Sequence, residues 1–392
     1  MFEPAQRMLH FHTSVFMDLR ALKEQYEIAH NQNTIDFSLG SPNIAPDPKI
    51  MESLARAVED PANYQYAIKP LPALIQAIQK WYHTRYDVEL ESGEIALLQG
   101  SQEALVNLPL LYCNPTDGIL VPDPYYPVYV DAPKLAGAQV IFTPLTKEND
   151  YLVDFSRITA AQRKQAKMII VCYPNNPTGA TAPDSFYEEL IRFAKENDIL
   201  VVHDNAYSEL VFDGKRGKSF LSFPGAKEVG VELNSFSKTY GMAGARLGVL
   251  VGNESVINQY KMLKSNMDYG IFLPIQYAGV VALEQGGTTI ESTRQAYQNR
   301  RDALVRGFQS AGWKIPLSQA TMFLWAPIPD TYKDSVAFTK ALLKETGIIV
   351  TPGESFGPEG RRFVRIALVQ DEQAIEEAVR RLKQTEFFVT KK

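Results

Sequence analysis

The chain has 392 residues, enough for a large core and two domains, and its 45% hydrophobic and 22% charged residues are those of an ordinary globular protein. A formal net charge of −5 gives no electrostatic reason to expect nucleic acid or an anionic membrane as a partner. No apolar run reaches the roughly 20 residues of a membrane span, and the opening MFEPAQRMLHFHTSVF lacks a basic stretch followed by an apolar one, so a cytoplasmic location is expected.

Through the middle of the chain, short β-branched and apolar runs alternate with helical patterns. The runs read as strands at Ile95–Gln99, Gly118–Val121, Gln139–Thr143, Met168–Tyr173, Ile199–Asp204, Gly230–Ser235 and Leu247–Val251. Between them lie helices such as Asp184–Asn197, where Phe186, Leu190, Ile191 and Ala194 recur at the spacing of one helical face. This alternation predicts an α/β domain with a mostly parallel sheet. After about Glu284 the pattern becomes a long helix near Ser292–Ala311, short strands near Phe323–Ala326, Ile348–Thr351 and Phe363–Leu368, and a final helix from Asp371. That is an α+β unit, with which the N-terminal arm is expected to pack. Cys113 (in LLYCN) and Cys172 (in IIVCYP) sit in apolar surroundings and are expected to be buried free thiols. The five histidines show no ligand spacing, so no metal site is expected.

Four segments carry chemistry, and each also has a plainer reading. Gln99-Gly100-Ser101-Gln102-Glu103-Ala104 runs from a strand through glycine into an apolar helix. It is either a capping box or a helix N-terminus whose free N–H groups receive a phosphate. Tyr173-Pro174-Asn175-Asn176-Pro177-Thr178-Gly179 is a turn by composition, and Asn176 adds an amide donor at the edge of the sheet. Val201-Val202-His203-Asp204-Asn205-Ala206-Tyr207 is a buried strand ending in an acid. Asp204 is there either as a helix cap or as a ligand group at the carboxyl edge, where α/β folds bind small molecules. Ser235-Phe236-Ser237-Lys238-Thr239-Tyr240-Gly241-Met242-Ala243-Gly244-Ala245-Arg246 follows a strand and encloses one lysine among small residues. Partial desolvation or a nearby cation would lower the pKa of such an amine and let it condense with an aldehyde. Ser235, Ser237 and Arg246 are residue types that hold a phosphate dianion, whereas the plainer reading is a polar capped loop.

Together these segments resemble the class I/II aminotransferases, the aspartate-aminotransferase-like branch of fold-type I enzymes that depend on pyridoxal 5′-phosphate (PLP). The resemblance runs from Asp36-Phe37-Ser38-Leu39-Gly40-Ser41-Pro42 to Arg362-Phe363-Val364-Arg365-Ile366-Ala367-Leu368, with Asn176, Asp204, Tyr207, Lys238, Arg246 and Arg365 in the family's order. It implies a large PLP-binding domain over 45–284, built on a mostly parallel seven-stranded sheet, and a smaller α+β domain from 1–44 with 285–392. Lys238 resembles the lysine that holds PLP as a Schiff base and shuttles the α-proton. Asp204 resembles the partner of the pyridine nitrogen, and Asn176 and Tyr207 the donors to the ring oxygen. Ser101, Gln102, Ser235, Ser237 and Arg246 resemble the phosphate cup, and Tyr126 the aromatic stacked on the ring. Arg365, with the Gly40 backbone opposite, resembles the grip on the substrate α-carboxylate; Tyr66, with Tyr64 in reserve, resembles the tyrosine that reaches a partner subunit's phosphate in a homodimer with shared sites.

What the resemblance implies is transamination between an L-amino acid and a 2-oxo acid. A carbon–sulfur β-lyase on the same fold is the alternative outcome of the same chemistry, and a non-catalytic sensory domain would need a DNA-binding segment that this sequence does not display. The sequence departs from the family pattern at Lys69-Pro70-Leu71-Pro72-Ala73-Leu74-Ile75, where a glycine and a Leu-Arg pair are usual. It also has no second arginine of the dicarboxylate-specific kind. Lys261 and Lys264 lie nearby in sequence, though helical lysines are usually solvated, and Phe11, Phe16 and Tyr269 either line an apolar pocket or belong to the core.

Overall fold

The computed structural model describes residues 2–11, 15–385 and 387–388. Its strands are β1 (Ile35–Asp36), β2 (Ile95–Leu98), β3 (Gly118–Asp123), β4 (Gln139–Pro144), β5 (Ala166–Cys172), β6 (Leu200–Asp204), β7 (Gly230–Ser235), β8 (Gly248–Gly252), β9 (Phe323–Pro327), β10 (Ile348–Ile349), β11 (Thr351–Pro352) and β12 (Phe363–Ala367). Seven of them form one sheet in the order β2-β8-β7-β6-β5-β3-β4. All pairs are parallel except those of β8, which runs antiparallel to both β7 and β2. Each of the seven strands lies within two residues of its expected place at either end.

Strands such as β5, with the run Met168-Ile169-Ile170-Val171-Cys172, are apolar on both faces because helices cover both faces of the sheet. One face packs on Leu74 and Ile78 of helix Pro72–Tyr86 and on Phe186 and Leu190 of helix Asp184–Asn197. The other packs on Leu105 and Leu108 of helix Gln102–Tyr112, Tyr129 of helix Val128–Ala136, and Ile257 and Tyr260 of helix Glu254–Ser265. Each such buried side chain contributes about 1.5–3 kcal/mol, so the core holds the strand ends at fixed heights. Those ends matter here. The parallel strands all finish at one edge, and because β8 runs the other way, the residues preceding it arrive at that same edge. The approach is tight: a Cβ on Gly248 would lie 2.8 Å from the Ser101 amide nitrogen.

The C-terminal part builds an antiparallel sheet, β11-β12-β9, and a short parallel pair, β1-β10. Its core joins Tyr297, Leu304 and Phe308 of helix Gly287–Ser310 to Phe338, Ile366 and Ile375. Three expectations need correction. The long helix starts at Gly287 rather than Ser292, and a separate helix, Leu273–Gln285, precedes it with Gly286 between them. The strand expected over Ile348–Thr351 is two, because the chain changes partner at Val350: Ile348 pairs with Ile35 and Thr351 with Arg365. Both cysteines are free, but only Cys172 is buried; Cys113 is half-buried.

Candidate active site

Asp204 ends β6 and is buried. Tyr129 donates its hydroxyl to Oδ2 at 2.6 Å, and the Ala206 amide donates to Oδ1 at 3.3 Å. Burial pushes the carboxyl above its ordinary range, and the Tyr129 bond, the Ala206 bond and the nearby His203 and Lys238 work against that push. No helix begins at Asp204, so it is not a helix cap. One strand over, β7 ends at Ser235, whose oxygen caps the short helix Phe236–Thr239 by accepting from the Ser237 amide at 3.2 Å. Accepting this bond leaves the Ser235 hydroxyl proton free to donate. The cap sets the first turn of that helix, from which Lys238 projects. Burial lowers the Lys238 amine to about 8, helped by Arg246 and Arg365 and opposed by Asp204. A lysine in that range has a usable fraction of neutral, nucleophilic amine near neutrality.

Arg246 immediately precedes Leu247 and β8, in a left-handed conformation with φ +55°. Its guanidinium lies over Gly100, where a Cβ would come within 2.8 Å of Cζ. Ser101 stands at the N-terminus of helix Gln102–Tyr112, but its hydroxyl makes no capping bond; Glu103 instead reaches back to the Gln99 amide at 2.6 Å. The helix N-terminus, the Ser101, Ser235 and Ser237 hydroxyls and Arg246 therefore converge as donors. Tyr126 donates to Gln102 Oε1 at 3.1 Å and packs edge-on against Tyr129.

Arg365, in the middle of β12, is 4% exposed, which rules out a surface salt bridge. Nη1 donates to Asn176 Oδ1 and Nη2 to the Ser38 carbonyl, both at 3.2 Å, while Nε has no partner. Its Cζ sits 4.1 Å from the ring centre of Phe323 and 4.5 Å from that of Phe356. Burial lowers its pKa to about 10. Among the described residues no carboxylate pairs with it. A buried guanidinium with spare donors and no acid is a receptor for an anion. Across from it, a Cβ on Gly40 would lie 2.6 Å from Phe323.

Gly40, Ser101, Gln102, Tyr126, Asn176, Asp204, Tyr207, Ser235, Ser237, Lys238, Arg246 and Arg365 all line one cavity of about 250 Å³. Tyr66 does not: it is exposed, its ring 5.0 Å from that of Tyr269. Lys261 donates to the carbonyls of Ser92 and Gly93, and Lys264 pairs with Glu103 and Asp268, so neither reaches the cavity within this chain. Phe11 and Tyr269 do not line it either, and the Phe16 side chain lies outside the described residues. Sequence reasoning missed Tyr129, Phe323 and Phe356. Only the nearness of Tyr129 in sequence to Tyr126, which stands ahead of helix Val128–Ala136, hinted at a shared site.

The family model for aminotransferase class I and II matches residues 32–382. The chain belongs to that family. It is 41% identical over 372 residues to the LL-diaminopimelate aminotransferase of Halothermothrix orenii, covering 94% of each chain. It is likewise 41% identical to that of Moorella thermoacetica, over 89% of this chain and 90% of the other. The apo structure of BacF from Bacillus subtilis superposes with a TM-score of 0.94 at 35% identity, over 98% of each chain. The chain is thus a PLP-dependent aminotransferase of the fold-type I class, acting on amino and 2-oxo acids, and the relatives do not favour the β-lyase alternative. The cavity of this aminotransferase fits the cofactor on its own terms. Its donor cup suits a phosphate dianion, the side-chain-free face of Gly100 makes room for Arg246, and a buried carboxylate at the sheet edge suits a cationic ring nitrogen.

Proposed function

We propose that the chain carries out transamination of an L-amino acid with the twelve cavity residues in the roles their resemblance implies, and that LL-diaminopimelate is the first amino donor to test. The observation that carries the role assignment is Arg365: a buried guanidinium with unused donors, held across the same cavity as Lys238 and Asp204. The substrate is suggested by the shared name of the 41% identical relatives.

When bound, PLP supplies the aldehyde carbon that accepts amines and the ring that takes up the electron pair left at the substrate α-carbon. The protein's part is orientation, charge and proton movement. Arg365 binds the α-carboxylate as a fork and fixes the α-carbon over the cavity. Lys238, with its amine lowered to about 8, first holds the cofactor and then, once released, carries the proton to and from the α-carbon. Asp204, kept in place by Tyr129, offers a carboxylate to the ring nitrogen, and Asn176 and Tyr207 offer donors to the ring oxygen. Ser101, Gln102, Ser235, Ser237 and Arg246 hold the phosphate, and Tyr126 covers the ring.

Residues 45–284 then act as the cofactor-binding domain and 1–44 with 285–392 as the part that brings Arg365 and Gly40. A homodimer is supported by an exposed apolar patch that includes Tyr66, Ile68 and Tyr269. Tyr66 suits a shared site better than Tyr64, whose hydroxyl already donates to the Val58 carbonyl at 3.0 Å. A cytoplasmic location is consistent with the two free thiols.

The test is a single half-reaction. The loaded protein is mixed with LL-diaminopimelate and with a panel of L-amino acids, and cofactor absorbance is followed without an oxo acid. Conversion of the cofactor with LL-diaminopimelate at a rate well above the panel supports the substrate; conversion with none of the amino acids sinks the transamination reading.

A further inference from the structure

Directly beneath the site, on the opposite face of the sheet from the Asp204 side chain, His203 and Glu232 form a pair with no solvent exposure at all. They are cross-strand neighbours on β6 and β7. His203 Nδ1 lies 3.0 Å from Glu232 Oε2 and Nε2 lies 3.1 Å from the Tyr173 carbonyl oxygen. A carbonyl has no proton to give, so Nε2 donates. The Glu232 carboxylate is already the target of other donors: Tyr82 and Ser219 hydroxyls at 3.0 Å and the Phe220 amide at 2.7 Å. Ser219 Oγ itself accepts from the Leu221 amide, so its proton points to Glu232. Donors thus converge on the carboxylate, and each ring nitrogen faces an oxygen that can accept from it.

The position of this pair is specific. His203 precedes Asp204, Glu232 lies three residues before Ser235, and Tyr173 lies three residues before Asn176. The Tyr173 carbonyl is also one residue past the last β5–β6 pair, Cys172 with Asp204, so the backbone ladder no longer holds it. One side chain thus ties together the ends of β5, β6 and β7, from which Asn176, Asp204 and Lys238 project.

We propose that His203 is a positioning residue of this aminotransferase: as a buried imidazolium clamped between Glu232 and the Tyr173 carbonyl, it sets the relative heights of Asn176, Asp204 and Lys238 and holds Asp204 in its charged form. Four ionisable groups besides Lys238 face Asp204 at the site: Tyr129, Tyr126, Tyr207 and Cys172. Facing His203 are Glu232 and Tyr187, and Tyr82 bonds Glu232 in turn. Of the neutral groups, none supplies the positive field; within this set only His203 and Lys238 do. This inference rests on the role assigned to Asp204 above, and its tests separate the two.

The first test needs no variant. In protein labelled with nitrogen-15 histidine, the His203 ring should show two protonated nitrogens at neutral pH, with and without PLP. A neutral ring overturns the proposal even if Asp204 does bind the cofactor. The second test compares PLP binding against pH in His203→Gln, Glu232→Gln and Ser219→Ala. Loss of the positive charge makes Asp204 harder to ionise. The acid limb of PLP affinity should therefore move to higher pH in the first two variants, with about a tenfold loss at pH 6 that narrows by pH 9. Ser219→Ala removes a hydrogen bond from the same buried network but leaves the charge. It should lower the melting temperature and leave the acid limb in place. A loss uniform across pH, or an equal shift in Ser219→Ala, reduces His203 to a packing role and overturns the proposal; if His203→Gln does not fold, Glu232→Gln and the ring signal decide. Asp204→Asn separates the readings: it should abolish the pH dependence that His203 modulates.

Discussion

The Arg246 guanidinium occupies the space where a side chain on Gly100 would begin. Gly100 also holds φ +80°, a region that costs an L-residue roughly 1–2 kcal/mol. Gly100→Ala is therefore expected to displace Arg246 and weaken PLP binding about tenfold, with a loss of a few degrees in Tm. Equilibrium dialysis of PLP, beside a thermal melt, checks this; a normal PLP affinity in a folded variant would take Arg246 out of the phosphate cup.

Arg365→Lys keeps a charge but gives up the planar fork and its bond to either Asn176 or Ser38. Charge-assisted hydrogen bonds contribute about 1.5–3 kcal/mol each, so kcat/KM for L-amino acids should fall about a hundredfold. Amines without a carboxylate should be poor substrates of the native protein and little changed by the substitution. Steady-state kinetics with matched pairs of amino acid and amine measures the difference.

Lys238→Ala should remove turnover by several orders of magnitude while the fold persists, and borohydride treatment of the native protein should fix PLP on Lys238 by peptide mass. The amine has its own pH signature. Burial and Arg246 disfavour the ammonium form, so capture of PLP by the apoprotein should rise with pH through about 8 rather than through the ordinary lysine range. Arg246→Gln removes a repelling cation, and the midpoint should move upward. A midpoint unchanged by that substitution contradicts the electrostatic account.

Tyr129 makes a 2.6 Å hydrogen bond to Asp204 that opposes the upward push of burial on the carboxyl. Removing it in Tyr129→Phe should raise Asp204 further, so the acid limb of kcat should shift to higher pH while plateau activity is largely kept. Asp204→Asn should still bind PLP but turn over slowly at every pH, because an amide does not hold the ring nitrogen protonated. Rate profiles over pH 5–9 distinguish the two. Wild-type kcat in Asp204→Asn would leave Asp204 as a structural residue only.

Tyr66 is outside the cavity of its own chain and 78% exposed. If it completes the site of a second copy, mixing Lys238→Ala with Tyr66→Phe subunits, each inactive alone, should restore about half the activity per hybrid, since one of the two sites then carries neither defect. Subunit exchange confirmed by native mass spectrometry without recovery of activity rules out the shared site.

Much of this protein is written in local pattern. The runs Met168–Cys172 and Gly230–Ser235 are apolar and β-branched over the length of a strand, and Phe186, Leu190, Ile191 and Ala194 lie on one face at helical spacing, so their secondary structure follows from short-range sterics and burial. The four chemical segments were legible because each follows such a strand, and parallel strands deliver their carboxyl ends to one edge. Other features depend on partners distant in sequence. Nothing local says that β8 runs backwards and so carries Arg246 to the edge where Ser101 waits, or that the chain changes sheets at Val350. Tyr129 reads as core until its hydroxyl is seen on Asp204, and although the resemblance pointed to Arg365 as the carboxylate grip, only the fold puts its guanidinium between Phe323 and Phe356. His203, one residue from the site, shows its role only through Glu232 and Tyr173, some 30 positions away on either side. Propensity and periodicity act over a few residues, whereas desolvation and pairing of polar groups are set by whatever the fold brings against them, and that decided the chemistry of these side chains.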